Sequence, residues 1–79
     1  MERRIEIYTG ENCGNCKALK EYCQQNGIEY IEKPISDKDN MMFLRKNGLM
    51  GVPVLALSEN GAATLALGFT EAVDLLKKL

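Results

Sequence analysis

Arg4-Ile5-Glu6-Ile7-Tyr8 alternates polar and apolar side chains, and a few residues beyond it stands Cys13-Gly14-Asn15-Cys16. The alternation, carried by β-branched and aromatic residues, predicts a half-buried strand. From Gly14 to Asn26 the residues Cys16, Leu19, Tyr22 and Cys23 recur at helical spacing, and Asn26-Gly27 supplies a left-handed stop. The cysteine pair therefore opens a helix. Ile28-Glu29-Tyr30-Ile31-Glu32 follows that stop with strand propensity, so strand, helix and strand read as a right-handed parallel crossover.

Outward from this unit, Ser36 with Asp39 three residues on resembles a capping box. Met41, Leu44 and the stop at Asn47-Gly48 complete a second helix. Pro53-Val54-Leu55-Ala56-Leu57 and Thr64-Leu65-Ala66-Leu67 flank Glu59-Asn60-Gly61, and the Asn-Gly step predicts an antiparallel hairpin. Thr70 is placed to cap a last helix running to Leu79, with Val73, Leu75, Leu76 and Leu79 inward and Lys77 and Lys78 near its negative end. The predicted order is βαβαββα.

The 79 residues have room for one domain, residues 1–79, and an apolar fraction of 46% supports a packed core. Three cysteines are too few, and odd in number, for a secreted disulfide scaffold, so stability is expected from packing. Met1 to Gly10 lacks the apolar run of a signal peptide, and the expected location is the cytoplasm. No run approaches the roughly 18–20 apolar residues of a membrane span. A net charge of −1 argues against nucleic acid or an anionic membrane as partner. The chain has no histidine, which removes Cys-His and Ser-His-Asp catalysis and every His-containing zinc site. A cysteine-only zinc site needs four ligands where three exist, so no metal is expected.

The CxxC at a helix start, Val52-Pro53 before the third strand and Gly68-Phe69 before the last helix together resemble the glutaredoxin branch of the thioredoxin fold, over essentially the whole chain. The resemblance implies an α/β architecture: a four-stranded mixed sheet with helices on both faces and redox chemistry at the exposed end of strand one. It also implies a cis Val52–Pro53 bond, which would free the backbone of Val52 to pair with a substrate chain. Gly68-Phe69 is similar to the Gly-Phe of NrdH-type redoxins, which donate electrons to ribonucleotide reductase. Where those proteins continue with a basic residue and proline, this chain has Thr70 and Glu71, and Gly10 and Glu11 stand where a lysine commonly precedes the CxxC.

A thiol attacks a disulfide as thiolate, and the positive end of a helix stabilises that anion. Cys13 lies at that end and is the expected nucleophile; Cys16, a turn deeper, resolves the mixed disulfide. Cys23 is seven residues from Cys16, about 10 Å along the axis and beyond disulfide reach, and reads as a small core residue. By resemblance Val52, Pro53, Gly68, Phe69 and Thr70 bind substrate. The partners so implied are a disulfide-bearing protein, ribonucleotide reductase among the candidates, and thioredoxin reductase or glutathione as electron source. No bound cofactor and a monomer are expected, with a metal- or iron–sulfur-carrying module as the lesser alternative to the reductase reading.

Overall fold

The computed structural model describes residues 3–79, so the first two residues of the Met1–Gly10 stretch lie outside the described residues. Seven elements follow in the predicted order: β1 Arg3–Thr9, α1 Gly14–Gln25, β2 Ile31–Pro34, α2 Lys38–Lys46, β3 Val54–Glu59, β4 Ala62–Leu67 and α3 Phe69–Leu76. The sheet runs β2-β1-β3-β4, with β1 parallel to β2 and antiparallel to β3, and β3 antiparallel to β4. It is the four-stranded mixed sheet of the thioredoxin-like fold.

The period of two in β1 sorts its side chains onto the two faces. Ile5 and Ile7 join Leu55, Leu57 and Ala66 beneath Leu19 and Cys23 of α1 and Ala72, Val73 and Leu76 of α3. Tyr8, Val54 and Ala56 face the other way, against Leu44 and Phe43 of α2. Tyr8 stacks on Phe43 with ring centroids 5.2 Å apart. Each large apolar side chain enclosed in this way contributes about 1.5–3 kcal/mol against the entropy of ordering the chain. No helix among the described residues is long and apolar enough to cross a membrane.

The hairpin turn is as expected: Asn60 at φ 52° and Gly61 at φ 83° form the two left-handed residues of a tight connection. Several boundaries differ from expectation. β2 begins at Ile31, not Ile28, because the end of α1 claims Ile28, whose N–H donates to the Cys23 carbonyl at 2.8 Å. Pairing with β1 starts only where Ile31 meets Glu6. Asp37 rather than Ser36 caps α2, its Oδ1 accepting from the Asp39 N–H at 2.9 Å, since a carboxylate satisfies the helix's positive end better than a hydroxyl. Thr70 does not cap α3. Gly68, at φ 95° and without a side chain to offer, turns the chain so that Phe69 already begins the helix. That helix stops at Leu76 and tightens into i to i+3 hydrogen bonds from Lys78 and Leu79, leaving Leu79 exposed instead of inward.

Candidate active site

The topology gathers the sequence-predicted residues at one end of the sheet. β1 and β4 finish there, at Thr9 and Leu67, and antiparallel β3 starts there at Val54. Past Thr9 the chain passes close to the loop before β3, and the absent side chain of Gly10 eases that passage. A Cβ on Gly10 would lie 3.1 Å from Val52 Cγ2 and 3.5 Å from Ile35 Cδ1. Asn12, at φ 54°, then reverses the chain, a conformation that asparagine tolerates better than most residues.

Cys13 becomes the N-cap of α1, with extended φ −108° and ψ 103°. Its Sγ accepts the Cys16 N–H at 3.0 Å, in the place where a serine or aspartate oxygen usually caps a helix. Cys13 and Cys16 are joined as a disulfide with their Cα atoms 5.2 Å apart. Cys16 is 2% exposed while Cys13 is only half-buried, so an incoming sulfur has access to Cys13. The first turn of α1 carries no acidic residue to offset the dipole. When the disulfide opens, the N–H that caps Cys13 is positioned to stabilise its thiolate.

The Val52–Pro53 bond is cis, as the resemblance implied. The Pro53 carbonyl accepts the Gly68 N–H at 2.8 Å, which ties the loop before β3 to the start of α3. Val52, Pro53 and Gly68 therefore belong to one structural unit, and Gly10 joins it to the cysteine loop. Phe69 is partly buried against the core beneath α1 and α3, and Thr70 is exposed in the first turn of α3. Among the described residues, the backbone of Val52 takes part in no backbone hydrogen bond.

Sequence reasoning missed four features. Gly10 is a packing joint, legible only as a glycine beside the motif. Met50, 89% exposed two residues before Val52, gave no pattern. Asn12 could have been found from its tolerance of the left-handed region. The fourth is a polar network that joins β1, β2 and α1: buried Thr9 donates its hydroxyl to Glu32 Oε2 at 2.8 Å, and Lys20 Nζ reaches the same oxygen at 3.1 Å. The Thr9 hydroxyl first, and Lys20 second, hold the Glu32 carboxyl below its ordinary range. Burial pushes the Cys23 thiol upward. Burial also raises Tyr8, helped by the negative charge of Glu6.

The glutaredoxin family model matches residues 5–61. An uncharacterised glutaredoxin-like 8.6 kDa protein of the rubredoxin operon of Clostridium pasteurianum is 31% identical over 72 residues, spanning 86% of this chain and 88% of that one. NrdH-redoxin from Escherichia coli, a glutaredoxin-like protein with a thioredoxin-like activity profile, matches with a TM-score of 0.80 and 25% identity over 96% of this chain and 93% of its own. The thioredoxin-like protein BC3987 shares the fold at a TM-score of 0.74 and 24% identity, over 96% of this chain and 100% of its own.

Proposed function

Because the chain belongs to the glutaredoxin family, we propose that it is a dithiol protein-disulfide reductase in which Cys13 attacks and Cys16 resolves. The single observation that carries this reading is the pairing of an accessible Cys13 sulfur, capped by a helix N–H at 3.0 Å, with a buried Cys16 one turn away.

The Cys13 thiolate attacks one sulfur of the substrate disulfide; a Cys13–substrate bond forms, the substrate bond breaks, and the first substrate thiolate leaves and takes a proton. Cys16, as thiolate, then attacks Cys13 Sγ and expels the second substrate sulfur. Two electrons pass to the substrate, and the enzyme is left with the Cys13–Cys16 disulfide seen here. The unpaired backbone of Val52 is available to align an extended substrate segment beside Cys13.

An external reductant must then reopen the disulfide, and we favour thioredoxin reductase. Glutathione carries two carboxylates, which call for cations and open N–H groups. Glu11 stands exposed where a cation would help, and Phe69 crowds the turn at Gly68 as the first residue of α3. Loss of one charge-assisted contact costs about 1.5–3 kcal/mol, roughly ten- to a hundredfold in affinity. The thioredoxin-like activity profile of the similar NrdH-redoxin points the same way, and ribonucleotide reductase is a candidate recipient of the electrons. One observation favours glutathione instead: the N-cap of α3 is Gly68, which offers no side-chain cap and leaves N–H groups for a carboxylate.

Insulin reduction driven in parallel by thioredoxin reductase with its nicotinamide donor, and by glutathione with glutathione reductase, tests both levels of the reading. Turnover with the first system is expected. Turnover with glutathione alone would reverse the choice of donor, and no turnover with either would remove the reductase assignment.

A further inference from the structure

Three Asn-Gly steps punctuate the chain: Asn26-Gly27 after α1, Asn47-Gly48 after α2 and Asn60-Gly61 between β3 and β4. In each the glycine takes a left-handed φ, at 65°, 71° and 83°. The same dipeptide carries a chemistry of its own. With no side chain on the following residue, the glycine nitrogen can close on the asparagine's side-chain carbonyl carbon, which makes this asparagine thermolabile. A Cβ built on any of the three glycines would meet nothing within 4 Å, so access does not separate them.

Hydrogen bonding does. Asn26 Nδ2 donates to the Tyr22 carbonyl at 2.8 Å and Asn47 Nδ2 to the Phe43 carbonyl at 2.8 Å, which ties both side-chain amides back to their helices. The nitrogens that would attack are held as well: the Gly27 N–H donates to the Gln24 carbonyl at 3.4 Å and the Gly48 N–H to the Arg45 carbonyl at 3.1 Å. Asn60 has neither restraint. Among the described residues its exposed side chain makes no hydrogen bond. The Gly61 N–H lies outside the β3–β4 ladder, whose last pair is Glu59 with Ala62.

We propose that the fold directs spontaneous deamidation to Asn60. The Gly61 nitrogen gives up its proton and bonds to Asn60 Cγ; the Cγ–Nδ2 bond breaks, ammonia leaves and a cyclic imide remains. Water then opens the imide at one of its two carbonyls. Opening at Cγ gives aspartate, and opening at the main-chain carbonyl gives isoaspartate, with the chain now running through Cβ and Cγ. The net change is amide plus water to carboxylate plus ammonium, with no oxidation or reduction. Either product sets a new negative charge beside Glu59, whose carboxylate pairs with Arg3 at 3.3 Å. Isoaspartate also lengthens a turn of only two residues and works against closure of the ladder at Glu59 and Ala62. The Cys13 loop lies at the other end of the sheet, where β3 starts.

The folded, oxidised protein is incubated warm at mildly alkaline pH and sampled over weeks, with each asparagine followed by peptide fragmentation in the mass spectrometer. Asn60 should convert about tenfold or more faster than Asn26 or Asn47, because each of those must first release its hydrogen bonds. In guanidinium chloride the turn and the helix ends are lost, and the three should react at comparable rates. Asn60→Gln should slow the appearance of the more acidic protein on ion exchange about tenfold, with an unchanged far-ultraviolet circular dichroism spectrum to show that it folds. Conversion of Asn60 no faster than that of the other two would overturn the proposal. So would a lead for Asn60 that persists in guanidinium chloride, since neighbours in sequence and not the fold would then set it, or an acidic form that appears as quickly in Asn60→Gln.

Discussion

Cys13 and Cys23 ride on the same helix and differ in almost everything that governs a thiol. Cys13 caps the first turn, half-buried, with an N–H aimed at its sulfur. Cys23 sits near the other end, fully enclosed among Ile5, Ile7, Leu19 and Leu76, and burial raises its pKa. On the proposed reading the same side chain is the nucleophile at one end of α1 and a core residue at the other. Position relative to the dipole and to water, more than residue type, assigns the role.

The strongest way to break this contrast is to remove the sulfurs one at a time. Cys13→Ser should reduce activity to the background of the reductant alone. Cys16→Ser should still attack once and stall as a mixed disulfide, visible as a mass adduct on Cys13 after substrate challenge. An adduct on Cys16 in the Cys13→Ser protein, with none on Cys13 in the other, would reverse the roles. A graded test compares reactivity in the reduced, folded protein. Iodoacetamide should modify Cys23 about a hundredfold or more slowly than Cys13 at neutral pH, since it lacks both access and anion stabilisation. Equal rates, read by peptide mapping, would place Cys23 outside the core.

The smallest effect concerns the polar network of Thr9, Glu32 and Lys20. Its pKa held low in the fold, Glu32 contributes stability that is fully present above the unfolded carboxyl value near 4.3 and is lost as pH falls through the folded value. The side chain is 43% exposed, so screening limits the contribution to at most about 1 kcal/mol. Glu32→Gln should therefore unfold at slightly lower urea near neutral pH and match the parent near pH 3. A difference that persisted at pH 3 would mean that packing, not charge, is the lost interaction.

What could be read from the sequence was local. The alternation of Arg4–Tyr8, the Asn60-Gly61 turn and the helical recurrence of Cys16, Leu19 and Cys23 each act within a few residues, and each placed its element. The element order and both site cysteines follow from such signals. The start of β2 did not, because it depends on where Ile31 meets Glu6, a long-range register. The cap of α3 depends on a hydrogen bond from Gly68 to Pro53, and Thr70 matched the local pattern without that contact. The Thr9–Glu32–Lys20 network joins three elements and leaves no trace in any one of them.

Gly10 sets a condition on how this protein can change over time. A Cβ there would press on Val52 Cγ2 at 3.1 Å and make only ordinary contact with Ile35 Cδ1 at 3.5 Å, so positions 10 and 52, from separate loops, share one small volume. A methyl group gained at position 10 requires Val52 to give by a few tenths of an ångström, and fits most easily beside a smaller residue at 52. Positions 10 and 52 should drift as a pair, a larger residue at one arising with a smaller one at the other. In a collection of descendants their residues would be correlated while the cysteines stay fixed, and the fit between nucleophile loop and substrate loop would be inherited as a unit.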